Sequence, residues 1–128
     1  MQTAKEIMTT TVVTIKSSAT IAEAVKLMRA KKLRVLIVEP DEPGDNYGTL
    51  TESDVVYKVA ANGDRPESVI VANVMTKPCI EVDPEMSVQE VAGLFANHHI
   101  RRAPVVKKEL LGVISAFDIV RKTMWWQG

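Results

Sequence analysis

Gly48-Thr49-Leu50-Thr51-Glu52-Ser53-Asp54 returns later in the chain as Gly112-Val113-Ile114-Ser115-Ala116-Phe117-Asp118, an offset of 64 (118 − 54). Upstream, Ile7-Met8-Thr9 returns as Val74-Met75-Thr76, an offset of 67 (75 − 8). At that second spacing Ile15 meets Val82, Ile21 meets Val88, Leu27 meets Leu94, Leu33 meets Ile100 and Val38 meets Val105. The difference between the two offsets falls in residues 39–47, where Pro40, Pro43, Gly44 and Asn46 are turn formers, so the first copy is expected to carry a longer hairpin loop. A self-match running through nearly the whole chain marks a duplication.

Each copy reads strand–helix–strand–strand–helix. Val12–Ile15 and Cys79–Val82 are short apolar or β-branched runs expected as strands. Ile21, Ala24, Val25 and Met28 recur at helical spacing, as do Val88, Val91, Ala92 and Phe95, so each set predicts one buried helix face. Thr20 with Glu23 and Ser87 with Glu90 form capping boxes, which place both helix starts. Val35–Val38 and Ala103–Val106 are expected core strands, with Gly48–Thr51 and Leu111–Ser115 as hairpin partners. Short helices follow at about Ser53–Ala61 and Phe117–Thr123, and residues 62–66 break the copies apart. A βαββα unit of about sixty residues leaves one sheet face uncovered and is marginal alone. The expected fold class is therefore α+β: repeats at residues 1–66 and 67–128, packed sheet to sheet around a shared core with pseudo-twofold symmetry. Clefts at such junctions attract ligands.

The 128 residues carry sixteen basic and sixteen acidic side chains, for a formal charge of zero. That balance speaks against a basic nucleic-acid footprint. Cys79, the one cysteine, has no partner for an internal disulfide. No apolar run reaches the roughly 18 residues of a membrane span, and the N-terminal residues lack the shape of a signal peptide. The expectation is a cytoplasmic protein without membrane contact.

The pattern resembles the tandem cystathionine β-synthase (CBS) domain family. The residues that carry the match are Ile7-Met8-Thr9 and Val74-Met75-Thr76, the phrase Ile100-Arg101-Arg102-Ala103-Pro104-Val105-Val106, and the glycine-led endings Gly48…Thr51-x-x-Asp54 and Gly112…Ser115-x-x-Asp118. No catalytic domain accompanies the pair in this sequence, so it looks like a stand-alone module. The resemblance implies an adenosine-containing ligand: AMP, ADP or ATP, with S-adenosylmethionine as a further member of the class. It also implies that the hydroxyl residue and the aspartate at the second helix start hold the ribose. An ionised carboxylate only accepts hydrogen bonds, which suits a cis-diol.

In this family each cleft joins the aspartate of one repeat to entry and mid-strand residues of the other. The main cleft is accordingly expected to use Thr51, Ser53, Asp54, Met75, Ile80, Ile100, Arg101 and Arg102. A weaker second cleft is expected to use Met8, Val13, Leu33, Arg34, Val35, Ser115 and Asp118. Arg102 stands where nucleotide-binding members often carry a phosphate-contacting arginine, and its counterpart is Val35. Phe117 replaces the small Ser53 and is expected to crowd the second ribose site. The resemblance further implies a homodimer formed through helices, with an unidentified protein as the regulated partner.

Plainer readings stand beside these. Thr51-x-x-Asp54 and Ser115-x-x-Asp118 also fit helix capping, in which the acid bonds back to the backbone. Lys31, Lys32 and His98 suit the negative end of the first helix in each copy. His98-His99 lacks a third ligand at metal-like spacing, so no metal site is expected. Cys79 reads as a buried or half-buried thiol, and Trp125-Trp126 as either a contact surface or a lid on the second helix. There is no nucleophile–base pair and no phosphate-binding loop, so the chain reads as a regulatory sensor rather than an enzyme. The alternative is a ligand-independent interaction or dimerisation module.

Overall fold

The structure is a computed structural model describing residues 2–127. Met1 and Gly128, the outer bounds of the two repeats, lie outside the described residues. In chain order the elements are α1 (Ala4–Ile7), β1 (Thr14–Ile15), α2 (Ile21–Lys31), β2 (Val35–Val38), β3 (Gly48–Thr51) and α3 (Glu52–Val55). They continue with α4 (Val88–His98), β4 (Arg102–Val106), β5 (Leu110–Ser115) and α5 (Ala116–Lys122). Helix α3 runs on as a π-helical turn over Val56–Ala60, and 3-10 turns occupy Pro66–Ser68, Val71–Asn73 and Trp125–Gln127.

The chain forms two compact units. One is Val13–Cys79; the other comprises the described residues of Met1–Val12 and Ile80–Gly128. Each unit therefore holds the hairpin of one copy together with the entry segment of the other.

In the unit Val13–Cys79 the sheet order is β1-β2-β3. β1 pairs parallel with β2, placing Ile15 beside Val38, and β2 pairs antiparallel with β3, placing Val35 opposite Thr51. Ile21, Ala24 and Met28 of α2 pack with Ile15, Leu36, Val38, Leu50, Val59, Val71 and Val74. The Val71 turn docks beside the start of α2, where Ile21 N–H donates to Val69 O and Val71 N–H to Ala19 O.

The other unit repeats this scheme with a reduced sheet. β4 and β5 pair antiparallel, with Arg102 opposite Ser115. Ala4 and Ile7 of α1 are buried with Val82, Val88, Val91, Phe95, Ala103, Val105, Ile114 and Ile119. Here α1 sits at the start of α4, with Ala4 N–H donating to Met86 O and Val88 N–H to Gln2 O.

Several local expectations need correction. Cys79–Val82 is not a strand: Val82 alone makes a parallel bridge, to Val105. Cys79 sends its N–H to Tyr47 O in the first unit, while Val82 N–H bonds Pro104 O in the second. The chain leaves one unit and enters the other between them, so no ladder can span the run. Val12–Ile15 shortens to Thr14–Ile15 for the same reason, since the units divide between Val12 and Val13. The helix expected over Ser53–Ala61 starts at Glu52 and widens into the π turn at Val56. The one expected over Phe117–Thr123 is Ala116–Lys122. Ala92 is exposed; Leu94 is the residue of α4 that packs against the core instead. The Ser87–Glu90 box is complete, whereas at Thr20 the hydroxyl accepts from Glu23 N–H at 3.1 Å without the reciprocal bond to the Thr20 backbone.

Candidate functional site

Both T/S-x-x-D turns sit where a strand passes directly into a helix. At the end of β3, Thr51 Oγ1 accepts from Asp54 N–H at 3.1 Å, and Asp54 Oδ2 accepts from Thr51 N–H at 2.9 Å. At the end of β5 the same pair of bonds joins Ser115 and Asp118, at 3.0 and 2.9 Å. The capping reading of both motifs is thus realised, and it holds each carboxylate rigidly at a helix start.

The glycines that lead these motifs have a structural cause. A Cβ on Gly48 would stand 3.1 Å from Thr76 O and 3.3 Å from Met75 Sδ. On Gly112 it would stand 2.7 Å from Thr9 O and 2.8 Å from Met8 Sδ. The entry segments cross the hairpins here: Thr49 and Thr76 exchange backbone bonds at 3.0 and 2.9 Å, as do Thr9 and Val113 at 2.8 and 2.9 Å. That crossing brings Met75 into the neighbourhood of the Asp54 turn and Met8 into that of the Asp118 turn.

The two carboxylates differ in what remains to be satisfied. Asp118 is 3 % exposed. It accepts from Ser115 N–H and, at 3.1 Å, from Ser115 Oγ–H on Oδ2. Its Oδ1 accepts from the Thr9 hydroxyl at 3.2 Å and faces Lys122 Nζ at 3.0 Å. A carboxylate offers about four acceptor positions, and all four are taken. Asp54 is half-buried and accepts only from Thr51 N–H among the described hydrogen bonds, with Lys58 Nζ 3.5 Å from Oδ1. Acceptor capacity remains on Asp54. Sequence reasoning missed this inequality, because the signal is Thr9, 109 residues from Asp118.

The other expected site residues divide by unit. Thr51, Ser53, Asp54, Met75, Val13, Leu33, Arg34 and Val35 lie in Val13–Cys79. Met8, Ile80, Ile100, Arg101, Arg102, Ser115 and Asp118 lie in the other unit. Ser53 and Arg34 are exposed; Val13, Leu33 and Val35 are half-buried. Arg101 is exposed, and its carbonyl accepts from Ala116 N–H at 2.7 Å; Arg102 is half-buried opposite Ser115. Ile80 and Ile100 are half-buried. Phe117 is exposed, with the Arg121 guanidinium 4.9 Å from its ring centroid.

His98 and His99 are exposed, and among the described residues no cluster of metal-ligating side chains occurs. Cys79 is half-buried. Trp125 and Trp126 are both exposed and meet edge to face, with centroids 5.6 Å apart. Among the described residues no helix is long and apolar enough to cross a membrane. A polar pocket of about 380 Å³ lies in Val13–Cys79, lined by Lys16, Ser17, Ser18, Glu39, Pro40 and Asp41, none of them an expected site residue.

Comparison with known proteins adds four observations. A family model described as the CBS domain matches residues 4–61 and 71–124. The CBS domain-containing protein YhcV of Bacillus subtilis is 33% identical over 97% of this chain and 87% of its own length. An uncharacterized protein of Methanopyrus kandleri is 37% identical over 68% of this chain, a match spanning 44% of that protein. Among solved structures, a hexameric CBS-CP12 protein from bloom-forming cyanobacteria is 55% identical, with a TM-score of 0.95, over 99% of this chain and 74% of the other.

Proposed function

Because the chain belongs to the CBS domain family and carries two of its repeats, we propose that it is a regulatory module that senses an adenosine-containing ligand through Asp54. The observation that carries this reading is the unequal state of the two aspartates. Asp54 is pre-positioned by its capping bond yet keeps acceptor capacity for a ribose diol, whereas Asp118 has none left. Thr51, Ser53 and Met75 belong to the same unit and support the same assignment. Arg102 is assigned to the phosphate on family resemblance, and an arginine fork suits phosphate oxygens. Met8, Val13, Leu33, Arg34, Val35, Ser115 and Asp118 make a second, weaker set. The proposed ligands are AMP, ADP, ATP and S-adenosylmethionine, and the role is to regulate rather than to catalyse. Homo-oligomerisation belongs to the proposal: the family resemblance points to a dimer, and the cyanobacterial relative is a hexamer.

A thermal-shift panel of these compounds, with GMP as control, tests the reading. A ligand specific to the native state stabilises it by roughly 2.7 kcal/mol at a hundredfold excess over Kd. Adenosine compounds are expected to raise Tm and GMP to leave it unchanged. A flat response to all of them overturns the reading and favours an interaction module, for which the exposed Trp125 and Trp126 are the contact surface to test.

A further inference from the structure

Each aspartate of the paired turns has a lysine four residues on, and each lysine reaches the backbone of an entry segment. Lys58 Nζ lies 3.5 Å from Asp54 Oδ1 and donates to Val74 O at 3.0 Å. Lys122 Nζ lies 3.0 Å from Asp118 Oδ1 and donates to Ile7 O at 3.1 Å. The two lysines match at the offset of 64 (122 − 58), and the two carbonyls at the offset of 67 (74 − 7). The arrangement survives a change in helix winding, since Lys58 is in the π turn and Lys122 in a regular α-helix.

An acid–base pair at i,i+4 is ordinary on a helix and stabilises it only slightly. That does not account for the third point. In both copies a further ammonium hydrogen is spent on a distant carbonyl, and that carbonyl belongs to the residue preceding Met75 or Met8. The same segments then pair with the hairpins at Thr49–Thr76 and Val113–Thr9. The ammonium is the link between carboxylate and segment.

We propose that Lys58 and Lys122 are positioning residues that tie the aspartate of each turn to the entry segment, so that a hydroxyl engaging Asp54 changes how firmly residues 74–76 are held. The ligand part of this proposal rests on the function proposed above; the tie itself does not. An ammonium has three hydrogens to distribute. When a diol occupies Asp54, the balance between its carboxylate and Val74 O shifts, and the entry segment registers the ligand through Lys58 as well as through Met75.

Amide hydrogen exchange on the full chain tests both parts. Without ligand, Lys58→Met is expected to speed exchange at Met75 and Thr76 about two- to fivefold, the range of an exposed ion pair. Asp54→Asn should do the same, the double variant should exchange no faster than either single one, and Lys58→Arg should restore the slow rate. Lys122→Met should act likewise at Met8 and Thr9. Additive effects in the double variant, or unchanged rates in Lys58→Met, overturn the tie. With adenosine as probe, saturation should alter exchange at Thr76, which is not assigned to the ligand, in the wild type and not in Lys58→Met; an equal response in both overturns the ligand coupling. Should adenosine not bind the wild type at all, the sensing function fails, while the ligand-free comparison still decides the lysines.

Discussion

The hydroxyl of Thr9 donates to Asp118 Oδ1 at 3.2 Å, while its counterpart Thr76 makes no such bond to Asp54 among the described residues. This donor, together with the Ser115 hydroxyl at 3.1 Å and a lysine at 3.0 Å rather than 3.5 Å, separates a carboxylate committed to the protein from one that can serve a ligand. It also sets different costs for removing each.

Asp118→Ala empties a buried carboxylate position and removes an acceptor shared by the half-buried Ser115 and the more exposed Thr9 and Lys122, and is expected to cost roughly 1–3 kcal/mol. Asp54→Ala removes one capping bond at a half-buried turn, for about 1 kcal/mol or less. Urea unfolding of the two variants measures the difference. Equal losses would show that the additional bonds to Asp118 contribute nothing.

Calorimetric titration with adenosine is expected to give one site per chain, abolished by Asp54→Ala and retained in Asp118→Asn. Two equal sites would overturn the ranking of the aspartates. In the same assay Arg102→Ala should weaken AMP more than adenosine. Equal weakening would remove Arg102 from the phosphate.

Gly112→Ala should destabilise more than Gly48→Ala. The added methyl meets an entry-segment backbone oxygen at 2.7 Å in the first case and 3.1 Å in the second, so the segment must move further at Gly112 than at Gly48. Thermal melts rank the two. A Gly112→Ala protein as stable as the wild type would show that the Met8–Thr9 segment yields freely.

Acid should loosen the unit Val13–Cys79 partly through Lys77. Its ammonium lies 2.6 Å from Asp45 and 3.2 Å from Asp41. The bond to Lys77 holds the Asp45 carboxyl below its ordinary value, and the Ser17 hydroxyl followed by Lys77 does the same for Asp41. A carboxyl lowered on folding adds stability above its unfolded value of about 4, and that stability is lost as pH falls through the folded value. Lys77→Met is therefore expected to lose less Tm than the wild type between about pH 5 and pH 3. Identical slopes would assign the acid sensitivity to groups elsewhere, such as Asp83, which is lowered by Glu85 N–H and Lys107.

Much of the local structure was legible because it rests on short-range chemistry. The starts of α2 and α4 follow from Thr20 and Ser87, and the buried faces from the spacing of Ile21, Ala24 and Met28 and of Val88, Val91 and Phe95. The helix ends were less legible. Both α2 and α4 stop on a left-handed residue, Lys32 at φ 55° and His99 at φ 53°, and neither is the glycine or asparagine that usually announces such an end. The π turn at Val56–Ala60 likewise has no counterpart in α5, although both helices begin with the same turn.

By itself the sequence determined the duplication, the two helix starts and the paired T/S-x-x-D turns, because each depends on residues only a few positions apart or on a repeat visible by alignment with itself. Only the tertiary structure decided that Thr9 fills Asp118, that Lys58 and Lys122 reach the entry carbonyls, and that Gly48 and Gly112 are glycines because a segment from the other copy crosses them. Those contacts join residues up to 115 positions apart. Their existence depends on where the folded chain returns, which no local preference encodes.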